Sequence, residues 1–373
     1  MRALLFEYLS KKTCKIKNIL EAPEVDFFKK TLQTWDLVDA VDVKNSGIAL
    51  HFLIALASLR SKKTLIDGDA SIQNLRPIQP LVEAFKSCGV KIVYLKKSGY
   101  APIEIHGPLR AGNVRLSGKN SQHVSALLIA FSLVSGKSTI TVDHPAETPY
   151  VQMTIDWLKK FGGKIRQQGF SYFEVEGPIE VKPFEYTVVE DFSSAAFLVV
   201  VSKLFDLKAD FSSLDFSDAQ GDKKIFEFLE QKSCSIKETP DLLPILMVAG
   251  VLGVGPTQIN DIHVARQKES DRPKVMQQEL QKMGGVIVID EQNDRVEIFP
   301  SSLKGADLFS HQDHRIAMSL AVAALKADGE SCVQGVECVA KSFPRFFETY
   351  CPDWIAQVRQ NGSGTVYIRP KKT

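Results

Sequence analysis

The residues most able to do chemistry sit in a run of mixed charge. Arg266-Gln267-Lys268-Glu269-Ser270-Asp271-Arg272 puts five charged side chains into seven positions, directly ahead of Pro273. Proline suits the first turn of a helix, so the run reads as a loop between the strand-like PTQINDI (256–262) and a helix start. A mixed run of this kind is equally common on an ordinary solvated loop, and its place at a strand-to-helix turn is what argues for a site. Asp241 opens the apolar stretch LLPILMVAGVLG (242–253). A capping role explains that aspartate by itself. A carboxylate at the mouth of a buried helix is also placed to act as a general base with a raised pKa. Further along, Asp313-His314-Arg315 joins an anion-binding guanidinium to a helix start, and Lys341 lies in the turn AKSFP (340–344).

These side chains need a scaffold, and the chain alternates two kinds of segment. KTLIDG, VKIVYL, IEIHG, NVRLSG, STITVD, KIRQQG and YFEVEG are short, rich in β-branched residues and mostly closed by Gly or Asp, as strands are. Between them, helical patterns cover 49–59, 78–88, 124–134, 151–161, 195–204, 244–254, 273–283 and 316–325. Such alternation implies an α/β fold. A polar unit recurs before four of the apolar helices: Asn45-Ser46-Gly47, Asn120-Ser121-Gln122, Asp191-Phe192-Ser193-Ser194 and Asp313-His314-Arg315. Each is an ordinary N-cap taken alone. Several together would form a set of helix N-termini suited to a multiply charged anion. The pattern breaks at VEGPIEVKPFEYTVVED (175–191), so two domains are expected, 1–190 and 191–373.

Bulk composition excludes other classes. The 373 residues carry 46 Lys+Arg against 44 Asp+Glu, a formal charge of +2, which gives no reason to expect nucleic acid or an anionic membrane as partner. Six scattered cysteines without a CxxC pair read as reduced thiols and offer no zinc-ligand spacing. No apolar stretch approaches the length of a membrane span, and MRALLFEYLSKK has no signal-type cleavage site. The expectation is a cytoplasmic, monomeric protein without metal or cofactor.

Longer blocks carry a resemblance. RQKESDR (266–272), with DLLP (241–244) before it and QDHRIAM (312–318) and AKSFPRFF (340–347) after it, is similar to the C-terminal half of the EPSP synthase family. NSGIALHFL (45–53), DGDASIQNLRPIQPLVEAFKSCG (67–89), GNVRLSGKNSQHVSALL (112–128), ETPYVQMTIDWLKKFGG (147–163) and VVEDFSSAAF (188–197) resemble its first half in order. The resemblance implies an inside-out α/β barrel of two similar domains, each of three βαβαββ units, with the active site between them. It implies a reaction of phosphoenolpyruvate with shikimate-3-phosphate by addition and elimination, and sensitivity to glyphosate where Gly47 is present. Asn45, Gly47, Arg76, Gln122, Arg272, Arg315, Lys341 and Lys372 would bind phosphoenolpyruvate. Arg2, Ser121, Gln122, Tyr150, Asp241, Lys268 and Thr373 would hold shikimate-3-phosphate. Asp241 would take the 5-hydroxyl proton, Glu269 would exchange a proton with the methylene carbon, and Lys372 would touch both substrates. The first domain would then serve the shikimate phosphate and the second phosphoenolpyruvate.

The chain departs from that pattern at several points. Ile48 and His51 stand for a small polar residue and an arginine, Asn120 for a serine, and Val264 for an asparagine. Glu147 falls where a serine helps bind the shikimate phosphate, and a carboxylate there would repel it unless rotated away. The family's initial strand and Lys-Ser pair are missing ahead of Arg2, whereas GTVYIRPKKT (364–373) resembles them, with Lys372 and Thr373 at the pair. A circular permutation joined through Gly362-Ser363-Gly364 accounts for this; a lost N-terminus followed by a chance basic tail is the other account. Two other functions stay open. One is an enolpyruvyl transferase acting on UDP-N-acetylglucosamine, against which the 67–77 loop lacks a cysteine. The other is a non-catalytic descendant that binds anionic metabolites.

Overall fold

The computed structural model describes residues 1–350, 356–361 and 364–370. The chain divides into two compact units, Met1–Val188 and Val189–Thr373. Among the described residues there are four four-stranded sheets and one two-stranded sheet.

The four larger sheets share one construction. In the first, Ala40–Asp42 runs parallel to Thr64–Asp67, which pairs antiparallel with Ile103–His106, and Lys91–Tyr94 forms the outer strand by a hairpin. The strands Asn113–Ser117, Gly136–Asp143, Tyr172–Gly177 and Lys164–Gln168 repeat that order in the same unit. In the second unit Ser233–Ser235, Gln258–Asn260, Arg295–Phe299 and Val286–Asp290 repeat it again. Asp307–Phe309, Ser331–Gln334, Thr365–Pro370 and Ala356–Asn361 make the fourth copy. Alternation in sequence becomes alternation in burial: Thr64 and Ile66 point inward, while Leu65 and Asp67 are half-buried. Each unit thus holds two complete βαβαββ modules, and a third is reduced. In the first unit it has only Lys15–Lys17 paired with Glu185–Thr187, beside the helices Arg2–Ser10 and Pro23–Thr34. In the second it has the helix Phe192–Phe205 and the short turns Gly221–Lys224 and Ile225–Phe228, with no strand of its own among the described residues.

The module helices form the cores. Gly47–Ser58 is buried at every position but Ile48, and Ser121–Ser132 at every position but Gln122. A helix that is apolar all round must be central, and these two pack on each other. Leu243–Val251 and His314–Ala324 do the same in the second unit. Close packing there depends on Gly250, since a Cβ at that position would lie 2.3 Å from the Pro256 carbonyl oxygen. All four polar units are caps: Ser46 accepts from Ala49 N–H, Asn120 from Gln122 N–H, Asp191 from Ser194 N–H and Asp313 from Arg315 N–H.

Two helices at the start of the chain were not among the expected ones. Arg2–Ser10 has no capping side chain and a continuous apolar face, so no period marks it. Pro23–Thr34 does begin with proline, followed by Glu24 and Asp26 in its first turn, which are helix-start signals. No described helix is long and apolar enough to cross a membrane. Cys14, Cys88, Cys234, Cys332 and Cys338 are free thiols, and Cys351 lies outside the described residues.

Candidate active site

In the unit Val189–Thr373 the guanidinium of Arg272 collects three carboxylates. Arg272 begins the helix Arg272–Lys282 behind the Asp271 cap, and only 1% of it is exposed. Its Nε donates to Asp313 Oδ2 at 2.9 Å, Nη1 to Asp241 Oδ1 at 2.6 Å and Nη2 to Glu269 Oε2 at 2.9 Å. Lys341 Nζ donates to the other Glu269 oxygen at 2.9 Å, and Arg315 Nη2 lies 3.3 Å from Asp241 Oδ2. Ser270 Oγ donates to Asp313 Oδ2 at 3.0 Å. Asp241 and Glu269 therefore each bridge two cations. Burial opposes the Arg272 charge, but Asp313, Asp241 and Glu269 raise its pKa well above the usual value. A buried charge of this kind needs its partners: deleting one leaves another uncompensated, at about 3–5 kcal/mol.

Asp241 is positioned by the turn Pro240–Leu242 just before the helix Leu243–Val251. Its pKa corrects the sequence-based expectation. Burial pushes it up, but Arg315, Arg272 and Lys268 together hold the carboxyl well below the ordinary carboxylate range. Asp222, which the sequence did not single out, behaves in the opposite way. It is buried in the turn Gly221–Lys224, accepts from Ser193 Oγ, and is pushed up to about 7 by burial and then by the Asp241 charge. The signal for it was faint, since it is one of several aspartates in the polar stretch 206–224. Of the mixed-charge run, Arg266 faces another way, bonded to Asp271 at 3.0 Å and Glu291 at 2.7 Å. Lys268 is half-buried and reaches the site through its field on Asp241.

The unit Met1–Val188 gathers a second set. Asn45 lies in the turn ahead of Gly47–Ser58, and a Cβ on Gly47 would stand 2.9 Å from Arg76 Nη1 and 3.3 Å from Gln122 Oε1. Glycine there brings the backbone of one helix start against the guanidinium of a second segment and the amide of a third. Arg76 is 8% exposed. Arg2 donates from Nη2 to the Tyr150 carbonyl at 2.7 Å and from Nε to Thr154 Oγ1 at 2.9 Å, tying the helices Arg2–Ser10 and Thr148–Lys160 together. Ser121 is buried, and its hydroxyl donates to Glu147 Oε2 at 2.7 Å. In the same unit His51 and His123 pack with ring centroids 5.1 Å apart and planes tilted by 41°, both buried. His51 Nδ1 lies 2.6 Å from the Gly47 carbonyl oxygen, and His123 Nε2 lies 3.2 Å from that of Pro77. Burial drives the His123 pKa down to about 4 and that of His51 well below its usual value, so both rings are neutral at pH 7. His123 was not among the expected site residues, because a lone histidine on an apolar helix face has no distinguishing spacing. Lys372 and Thr373 lie outside the described residues.

The first unit thus presents cations and amides at helix starts, and the second presents cations with three carboxylates held on them, a set fitted to anion binding with proton transfer. Repeated βαβαββ modules carrying such groups define an α/β enzyme of small anionic substrates. The family model for EPSP synthase (3-phosphoshikimate 1-carboxyvinyltransferase) matches residues 29–240 and 209–350. The 3-phosphoshikimate 1-carboxyvinyltransferase of Chlamydia caviae is 33% identical, covering 93% of this chain and 87% of that protein. The one from Acetivibrio thermocellus is 34% identical over 83% and 77%. Among solved structures, an EPSP synthase from Acinetobacter baumannii superposes with a TM-score of 0.73 at 21% identity, over 93% of this chain and 92% of that one. The chain belongs to the EPSP synthase family.

Proposed function

We propose that this chain transfers the carboxyvinyl group of phosphoenolpyruvate to the 5-hydroxyl of shikimate-3-phosphate and releases phosphate. The observation that carries the reading is the Arg272 cluster, in which two carboxylates able to move protons are held on three cations able to bind a phosphate and a carboxylate. Arg272, Arg315 and Lys341 take the phosphate and carboxylate of phosphoenolpyruvate, where guanidinium forks suit both groups. Asn45, Gly47, Arg76 and Gln122 are the further phosphoenolpyruvate contacts in this reading. Arg2, Ser121, Gln122, Tyr150 and Lys268 hold the phosphorylated acceptor.

Charge decides the order of events. With Arg272 and Arg315 facing it, Asp241 is ionised but a weak base. An incoming trianion draws those cations to itself, and Asp241 recovers the basicity to take the 5-hydroxyl proton as oxygen attacks C2. Glu269, relieved of Arg272 and Lys341 in the same way, carries a proton to the methylene carbon, which completes the tetrahedral adduct. The adduct then loses a proton from the same carbon to Glu269 and expels phosphate toward the cations.

The test is phosphate release with each substrate omitted in turn. Release should require both substrates, and Asp241→Asn and Glu269→Gln should each lower turnover by about 100-fold or more. Release from phosphoenolpyruvate alone, or variants as fast as the parent, would remove the assignment.

The family's initial strand and lysine motif are, in this reading, supplied by residues 364–373, so the chain is a circular permutation. In support, Thr365–Pro370 is the inner strand of its sheet, paired on both sides, as the third strand is in the other three copies. Lys372 and Thr373 would then complete the substrate contacts.

A further inference from the structure

In the unit Met1–Val188 one helix N-terminus already holds an anion, and that anion belongs to the chain itself. Glu147 Oε2 accepts from the Ser121 hydroxyl at 2.7 Å and from the Ser121 backbone N–H at 3.3 Å. Those donors open the helix Ser121–Ser132, while the neighbouring Gln122 N–H is taken by the Asn120 side chain. Glu147 is 4% exposed and adopts φ +53° at the start of the helix Thr148–Lys160, in the left-handed region that a side chain rarely adopts. Its carboxylate is thus turned inward onto Ser121, out of water. The same helix start carries Tyr150, whose carbonyl is bound by Arg2.

The donors on Ser121 are those a phosphate would use, and a phosphate cannot share them with a carboxylate: the two compete for the same N–H and O–H and repel each other. We propose that Glu147 is a specificity-determining residue, an internal anion that occupies the acceptor-phosphate position at Ser121 and weakens binding of the phosphorylated acceptor. This rests on the function proposed above. Seating of the acceptor requires Glu147 to turn off Ser121, whereas phosphoenolpyruvate, assigned to other groups, is insensitive to it.

Steady-state phosphate release by the full chain, by Glu147→Gln and by Glu147→Ser tests the inference. Both variants should lower the KM for shikimate-3-phosphate by about tenfold, the factor that ~1.4 kcal/mol of removed repulsion gives. The KM for phosphoenolpyruvate should stay within about twofold, well under that factor. An acceptor KM that is unchanged or raised in both folded variants, with turnover intact, overturns the inference and leaves the function standing. If the parent releases no phosphate, it is the function that fails. Calorimetric titration of shikimate-3-phosphate and of unphosphorylated shikimate into parent and Glu147→Gln then decides the role of Glu147. A gain confined to the phosphorylated compound upholds it, and equal affinities overturn it.

Discussion

Arg272 shows how much one side chain can organise. Positions 241, 269 and 313 are far apart in sequence, and a single planar guanidinium brings their carboxylates within 2.6–2.9 Å of its nitrogens. Lysine could not replace it, because an ammonium is a point charge without the fork that meets separate partners. The buried histidines make a different residue-scale statement. Unfolded His123 would titrate near 6.5, whereas in the fold it resists protonation until about 4. The native state therefore binds fewer protons in that window. Stability is complete above pH 6.5 and falls as pH drops toward 4, by at most about 3 kcal/mol for this group. His314, pushed down to about 4 by burial, acts in the same direction. Guanidinium unfolding at a series of pH values should show this acid loss in the parent and a shallower one in His123→Phe. An unchanged slope in the variant would mean that His123 is not the group responsible.

At the scale of elements, the site is built from helix starts, and their chemistry was largely legible. The four polar units that precede apolar helices are all caps, because capping acts between residues two or three apart and leaves its mark in local sequence. The start of Gly47–Ser58 carries the sharpest constraint. A methyl group at Gly47 meets the Arg76 guanidinium, a flexible end that can shift, so the cost falls on ligand binding and hardly at all on the fold. Gly47→Ala should raise the KM for phosphoenolpyruvate by about tenfold, a ~1.4 kcal/mol loss, with the melting temperature nearly unchanged. Glyphosate, similar to phosphoenolpyruvate in charge and size, should inhibit the parent and inhibit this variant less. An unaltered phosphoenolpyruvate KM in Gly47→Ala would show that Gly47 does not line the subsite. Where legibility failed, as for Arg2–Ser10, the helix is apolar on most faces and uncapped, so neither period nor cap marked it.

For the whole molecule, the order of segments matters as much as their identity. If residues 364–373 are the displaced initial strand, a chain that starts at Gly364, runs through Thr373 into Met1 and ends near Gln360 restores the family order. It should fold to the same far-ultraviolet dichroism and turn over at least as fast as the parent, since Lys372 and Thr373 would then be held on both sides. A rearranged chain that fails to fold would argue that the present order is the one this sequence requires.

The sequence by itself determined the module pattern, the principal helices, the caps and the family, all of which rest on periodicity, turn chemistry and contiguous blocks. Those signals arise between residues a few positions apart and survive in one dimension. The tertiary structure decided the electrostatics. It depressed Asp241 where its place at an apolar helix mouth suggested a raised pKa, raised Asp222, paired His51 with His123, and seated Glu147 on Ser121. Each of these depends on through-space distance and exclusion of water among segments tens of residues apart, and Coulomb interaction in a buried site reads only that distance.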